Sequence, residues 1–156
     1  MLNKILFLII FSVLFFSGCI SCGGPPKDGN YKEYWPDGKI KIETNYKNGK
    51  KHGIEKWWWE ENGNLGSFSN YKNGRKNGIH RYYHRTGVLY YEATYKDGKL
   101  HGIENWYEAG RLDKEVPYKD GEPHGIEKYY NTDNKVIKRI YWENGEKVKE
   151  EEVSVE

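Results

Sequence analysis

Three histidines, His52, His101 and His124, recur at equivalent places along the chain, each directly before a glycine. Three glutamates, Glu55, Glu104 and Glu127, follow them, with His80 in the slot between the first two. Imidazoles and carboxylates could ligate a metal or act as acid and base, so their spacing decides. Equivalent residues of neighbouring units lie two strands apart, about 10 Å in a sheet. Zinc sits about 2.0–2.1 Å from each imidazole nitrogen, so two such histidines do not share an ion. His80 and His84 are four residues apart, about 13 Å along a strand. No metal or cofactor is expected. Asn77 takes the histidine's place in one unit, which favours a turn role, because Asn and His both tolerate positive φ. Carboxylates at this spacing form no close general acid–base pair, and a single sheet implies no water-excluding cleft. They read as a solvated charge ladder. The nucleophile-elbow and phosphate-loop patterns are missing as well. No catalytic residue is assigned, and an enzyme is the weakest of the readings.

Cys19 and Cys22 form a C-x-x-C pair. Redox chemistry needs that motif at a helix start in a βαβ unit. Here an apolar run, Ile5 to Phe16, precedes it, and Gly23-Gly24-Pro25-Pro26 follows. The run is too short to span a bilayer, and its flanks fit a secretory signal. Phe16-Ser17-Gly18-Cys19 resembles a bacterial lipoprotein signal, although that pattern prefers leucine where Phe16 stands. The resemblance implies a signal peptide over 1–18, Cys19 as the lipidated residue, and residues 19–30 as a flexible tether. It places the protein in the cell envelope, lipid-anchored and facing outside the cytoplasm.

The elements that position these residues come from an internal repeat. Tyr46-Lys47-Asn48-Gly49, Tyr71-Lys72-Asn73-Gly74, Tyr95-Lys96-Asp97-Gly98 and Tyr118-Lys119-Asp120-Gly121 align, and Trp142-Glu143-Asn144-Gly145 is a drifted fifth copy. Four residues on stand Gly53, Gly78, Gly102 and Gly125, then isoleucines, then aromatic pairs. Asn-Gly and Asp-Gly are the strongest signals for two-residue type I′ hairpin turns. The expected fold is all-β: a single-layer, twisted antiparallel meander of about ten strands, built from tandem β-hairpins over 31–149. Pro117 removes a ladder donor and predicts a bulge or gap in its unit. Residues after Glu146 turn acidic, and 150–156 read as a disordered tail.

The Tyr-Lys-(Asn/Asp)-Gly-x-x-(His/Asn)-Gly pattern with its downstream aromatics resembles the MORN repeat, in the variant form of bacterial tandem arrays. The resemblance implies a one-layer antiparallel sheet. Some relatives are labelled antitoxins, and others are scaffolds or membrane-associated modules, so function follows only loosely.

The turn geometry predicts two faces. A core face collects Ile40, Leu65, Leu89, Leu112 and Val136 against Trp57, Tyr82, Trp106 and Tyr129, with Thr44, Ser69, Ala93 and Val116 opposite the second glycines. The opposite face collects Trp58, Tyr83, Tyr107 and Tyr130 with Lys56 and Arg81, and these are the candidate binding residues. Aromatics and Arg are enriched at protein interfaces. The plainer account is that the rings shield the backbone of a thin sheet while the charges keep it soluble. A bulge at His-Gly that changed parity would exchange the faces.

The composition fits this picture. The 156 residues carry 25 basic and 23 acidic side chains, for a net charge of +2. That balance excludes a charge-driven nucleic-acid binder. The expected function is a non-catalytic binding module, with a toxin-like or envelope protein as the partner. The alternative is a structural envelope module contacting glycan or lipid.

Overall fold

A computed structural model describes residues 24–154. The proposed signal peptide and Cys19 lie outside the described residues. Asn-Gly and Asp-Gly close five hairpins, and their central residues all take positive φ: Asn48 52° and Gly49 69°, for example. The strands are β1 (Gly29–Tyr34), β2 (Ile40–Lys47), β3 (Lys50–Trp58), β4 (Leu65–Lys72), β5 (Arg75–Tyr83) and β6 (Leu89–Lys96). They continue as β7 (Lys99–Glu108), β8 (Arg111–Lys119), β9 (Glu122–Pro123), β10 (Gly125–Tyr130), β11 (Val136–Glu143) and β12 (Glu146–Glu152). They pair antiparallel with their chain neighbours in one open sheet, β9 and β10 both against β8.

The count is twelve rather than about ten for two reasons. β1 is half a repeat placed ahead of the first hairpin. His124 interrupts a strand and divides it into β9 and β10. The interruption faces Pro117, which stays within β8 opposite Ile103, while His124 N–H donates to its carbonyl at 2.9 Å. The expected gap therefore falls within this unit, on the strand that faces the proline. β12 extends to Glu152, through the first residues of the expected acidic tail.

Each of the first four hairpins slips by two residues in register just past its turn. Tyr46 faces Lys51, but Thr44 then faces Glu55, leaving His52, Gly53 and Ile54 against Asn45 alone. Gly53 permits this with φ +96°, a value a side chain resists. The slip also turns the Lys51 carbonyl outward, where it accepts the N–H of Gly74 at the tip of the next hairpin, 2.8 Å away. The same bond joins Gly98 to Lys76 and Gly121 to Leu100. Successive repeats are thus tied tip to tip.

The positive φ belongs to the glycine, not to the histidine before it. Two of the histidines cap the next tip instead: Asp120 N–H donates to His101 Nδ1, and Asn144 N–H to His124 Nδ1, each at 3.4 Å.

In the first four hairpins the slip is two residues, an even number, so the predicted parity survives; in β11–β12 it is one residue, between Tyr141 and Trp142. In the first four hairpins parity changes only at the other end of the strands. There Trp57 faces Ser67 but Trp58 faces Leu65, with Gly66 bulged between. The same bulge sets Leu89 opposite Tyr83, Leu112 opposite Tyr107 and Val136 opposite Tyr130. These apolar residues were expected on the core face, and the bulge moves them to the opposite one. Gly66 and Tyr90 take their place.

The core is one residue wide. Thr44, Glu55, Ser69, His80, Ala93, Glu104 and Val116 are consecutive partners from β2 to β8, and Glu127 and Ile140 continue the line on β10 and β11. All but Glu55 are buried. Outside this line only Gly66 and Tyr91 are buried among the described residues.

Candidate functional site

The glutamates read as a solvated ladder lie in this buried line instead. Buried carboxylates need donors, and each unit supplies them. Thr44 Oγ1 donates to Glu55 at 2.9 Å, and Lys51 pairs with the same carboxylate. The Tyr91 hydroxyl donates to Glu104 at 2.9 Å, and Trp142 Nε1 to Glu127 at 2.7 Å. Phenols flank the row: burial, then Glu55, pushes Tyr71 up to about 12, and burial, then Glu104, does the same to Tyr118.

In the histidine unit, Lys76 Nζ donates to His80 Nε2 at 3.1 Å, which leaves Nδ1–H to donate to Ser69 Oγ at 2.5 Å. Burial, then the Lys76 charge, lowers His80 to about 4. These groups are hydrogen-bonded to one another and enclosed, which suits a structural role.

The opposite face holds the six residues predicted to bind. Lys56 and Arg81 belong to a transverse charge row: Lys32, Glu43, Lys56, Phe68, Arg81, Glu92, Asn105, Glu115, Lys128, Arg139 and Glu151. Most of the row neutralises itself. Lys32 pairs with Glu43 at 3.3 Å, Arg81 with Glu92 at 2.5 Å, and Lys128 with Glu115 at 2.9 Å. The bond to Glu92 raises Arg81, and the bond to Glu115 raises Lys128. Lys56 has no ion pair among the described residues.

An apolar row lies on either side of the charges. One is Ile54, Ile79, Ile103 and Ile126, each 38–40% exposed. The other is Trp58, Tyr83, Tyr107 and Tyr130, all half-buried, alternating with the aliphatic residues that the bulge delivers. Burial raises the phenols of Tyr107 and Tyr130. Indole N–H groups of Trp35 and Trp59 hold the carbonyls of Trp58 and Tyr83 at 3.2 Å, fixing this edge.

The core-face aromatics expected from the sequence form a belt on the loop side, joined by Trp59, Tyr90 and Tyr91, which the sequence reading did not place. Trp57 packs edge-on against Trp59 with ring centres 4.5 Å apart, Tyr82 stacks on Tyr90 at 6.1 Å, and Tyr91 meets Trp106 at 4.7 Å. Trp106 is 39% exposed, so this part of the expected core is surface. Trp59, Tyr83, His84, Arg85, Thr86 and Tyr90 line an open groove of about 680 Å³ at the loop edge of the sheet. Its one sequence signal is the run Trp57-Trp58-Trp59, a ring longer than the aromatic pairs of the other units.

The MORN repeat variant family matches the chain three times, at residues 27–48, 76–97 and 123–144. The second and third matches run from the second strand of one hairpin to the turn of the next, and the first runs from just ahead of β1 to the first turn. The intervening stretches fold the same way. None of the curated proteins matches the chain.

Proposed function

We propose that this protein is an outward-facing lipoprotein of a bacterial envelope, anchored through Cys19, and that its MORN-like sheet captures a protein without doing chemistry on it. The observation that carries this reading is the opposite face. Two apolar rows border a charge row that is largely neutralised from within, and rings beside a mostly self-paired polar row suit a desolvated interface. An antitoxin- or immunity-like capture of a toxin-like or envelope protein fits such a surface.

The test is retention of one stoichiometric protein from envelope and secreted fractions. Changing Trp58, Tyr83 and Tyr107 together to alanine should abolish it while the β-sheet circular dichroism persists. Capture unchanged in that variant would remove the face from consideration. Cys19→Ser should release the protein from the membrane fraction.

A second reading, a structural envelope module that contacts glycan or lipid, is favoured by the aromatic belt on the core face. It predicts sedimentation with wall material when no acyl chain is present.

A further inference from the structure

We propose that the loop side of the core face binds an extended, carboxylate-bearing polysaccharide, with one sugar ring seated between Trp59 and Tyr90. This deepens the envelope reading and rests on it. Trp57, Tyr82, Trp106 and Tyr129 hold equivalent positions on every second strand, a step of about 10 Å. That is close to the disaccharide step of an extended pyranose chain. Ring faces carry negative charge density that attracts the C–H faces of sugars.

The groove is also built rather than incidental. Asn62 and Asn64 side chains both donate to the Arg85 carbonyl, at 2.5 and 2.8 Å, and Trp59 Nε1 holds the carbonyl of Tyr83. The loop is therefore set before any ligand arrives, which removes part of the ordering cost of binding.

Charge selects the class of sugar. The Arg85 guanidinium lies 5.0 Å from the Trp59 ring centre, and its partner Glu61 is an exposed residue whose pairing contributes little. Lys114 lies between the rings of Trp106 and Tyr129, at 5.6 and 5.9 Å, with no ion pair among the described residues. A neutral glycan leaves these cations unused, whereas one with carboxylates engages both.

The probe is a hexamer of galacturonic acid, with cellohexaose as the neutral control, titrated calorimetrically into the full chain at low salt. The acidic hexamer should bind at least tenfold more tightly than the neutral one. The double variant Arg85→Gln/Lys114→Gln, which touches only surface groups, should lose at least tenfold. The Trp58→Ala/Tyr107→Ala variant, changed on the opposite face and outside the groove, should bind normally. Absence of binding, equal affinity for both hexamers, or full affinity in the double variant would each overturn the proposal. So would variant-sensitive binding to phosphatidylglycerol vesicles with no binding of either hexamer. Wall-glycan sedimentation that persists in the double variant would overturn this site alone and leave the envelope reading standing.

Discussion

The indole of Trp57 on β3 lies across Gly66 on β4, so close that a methyl group on the glycine would come within 2.1 Å of two ring carbons. Trp57 in turn packs against Trp59, which walls the groove. Gly66 is thus a matter of space, not of backbone angle, and it couples the bulge of β4 to the aromatic belt.

Gly66→Ala should therefore displace Trp57 and cost about 1–3 kcal/mol, the usual range for overpacking. Urea unfolding gives the cost, and near-ultraviolet circular dichroism reports the tryptophans. An unchanged near-ultraviolet spectrum would show that the ring does not depend on this glycine.

Ala109 opens the β7–β8 turn with φ 49°, in the position where the hairpin tips use Asn or Asp. A methyl side chain is strained there, and Asn is among the residues that tolerate it best. Ala109→Asn should raise stability by about 1 kcal/mol, seen as a later urea midpoint at unchanged slope. A lower midpoint would mean that the turn gains nothing from relief at this position.

His80 should make stability depend on pH. Its folded value, about 4, lies below the ordinary 6.5. Between these values the unfolded chain binds more protons. The stabilisation is therefore complete above about pH 6.5 and is lost as pH falls toward 4, by at most about 3 kcal/mol. Protonation puts a second charge beside Lys76 and replaces the lone pair that accepts from it. Urea midpoints at pH 7 and pH 4.5 should differ less in His80→Gln than in the natural chain. Equal differences would show that His80 does not carry the effect.

Trp142 supplies a charge-assisted hydrogen bond to Glu127, which is 5% exposed. Trp142→Phe keeps an aromatic ring but removes the donor. It should cost about 1.5–3 kcal/mol. In a Glu127→Gln background the same change should cost less, because no buried charge is then left short of a donor. A double-mutant cycle measures the coupling, and additive costs would mean the two groups act independently.

The sequence by itself determined the hairpins, their number and their antiparallel order. Asn-Gly and Asp-Gly act locally, through φ values that few other residues accept, and each turn fixes the strands beside it. Parity on the tip side was legible for the same reason, so Trp58, Tyr83, Tyr107, Tyr130, Lys56 and Arg81 do share one face. Three things were decided only by tertiary structure. The slip at Gly53 depends on a carbonyl finding a glycine N–H in the next repeat. The bulge at Gly66 depends on a tryptophan ring from the neighbouring strand. The placement of Glu55, Glu104 and Glu127 in the core line depends on the slip, because only the slipped register brings these carboxylates opposite Thr44, Ala93 and their equivalents. A residue's charge is written in the sequence, but whether that charge meets water or a donor is set largely by partners on neighbouring strands, such as Thr44, Tyr91 and Trp142.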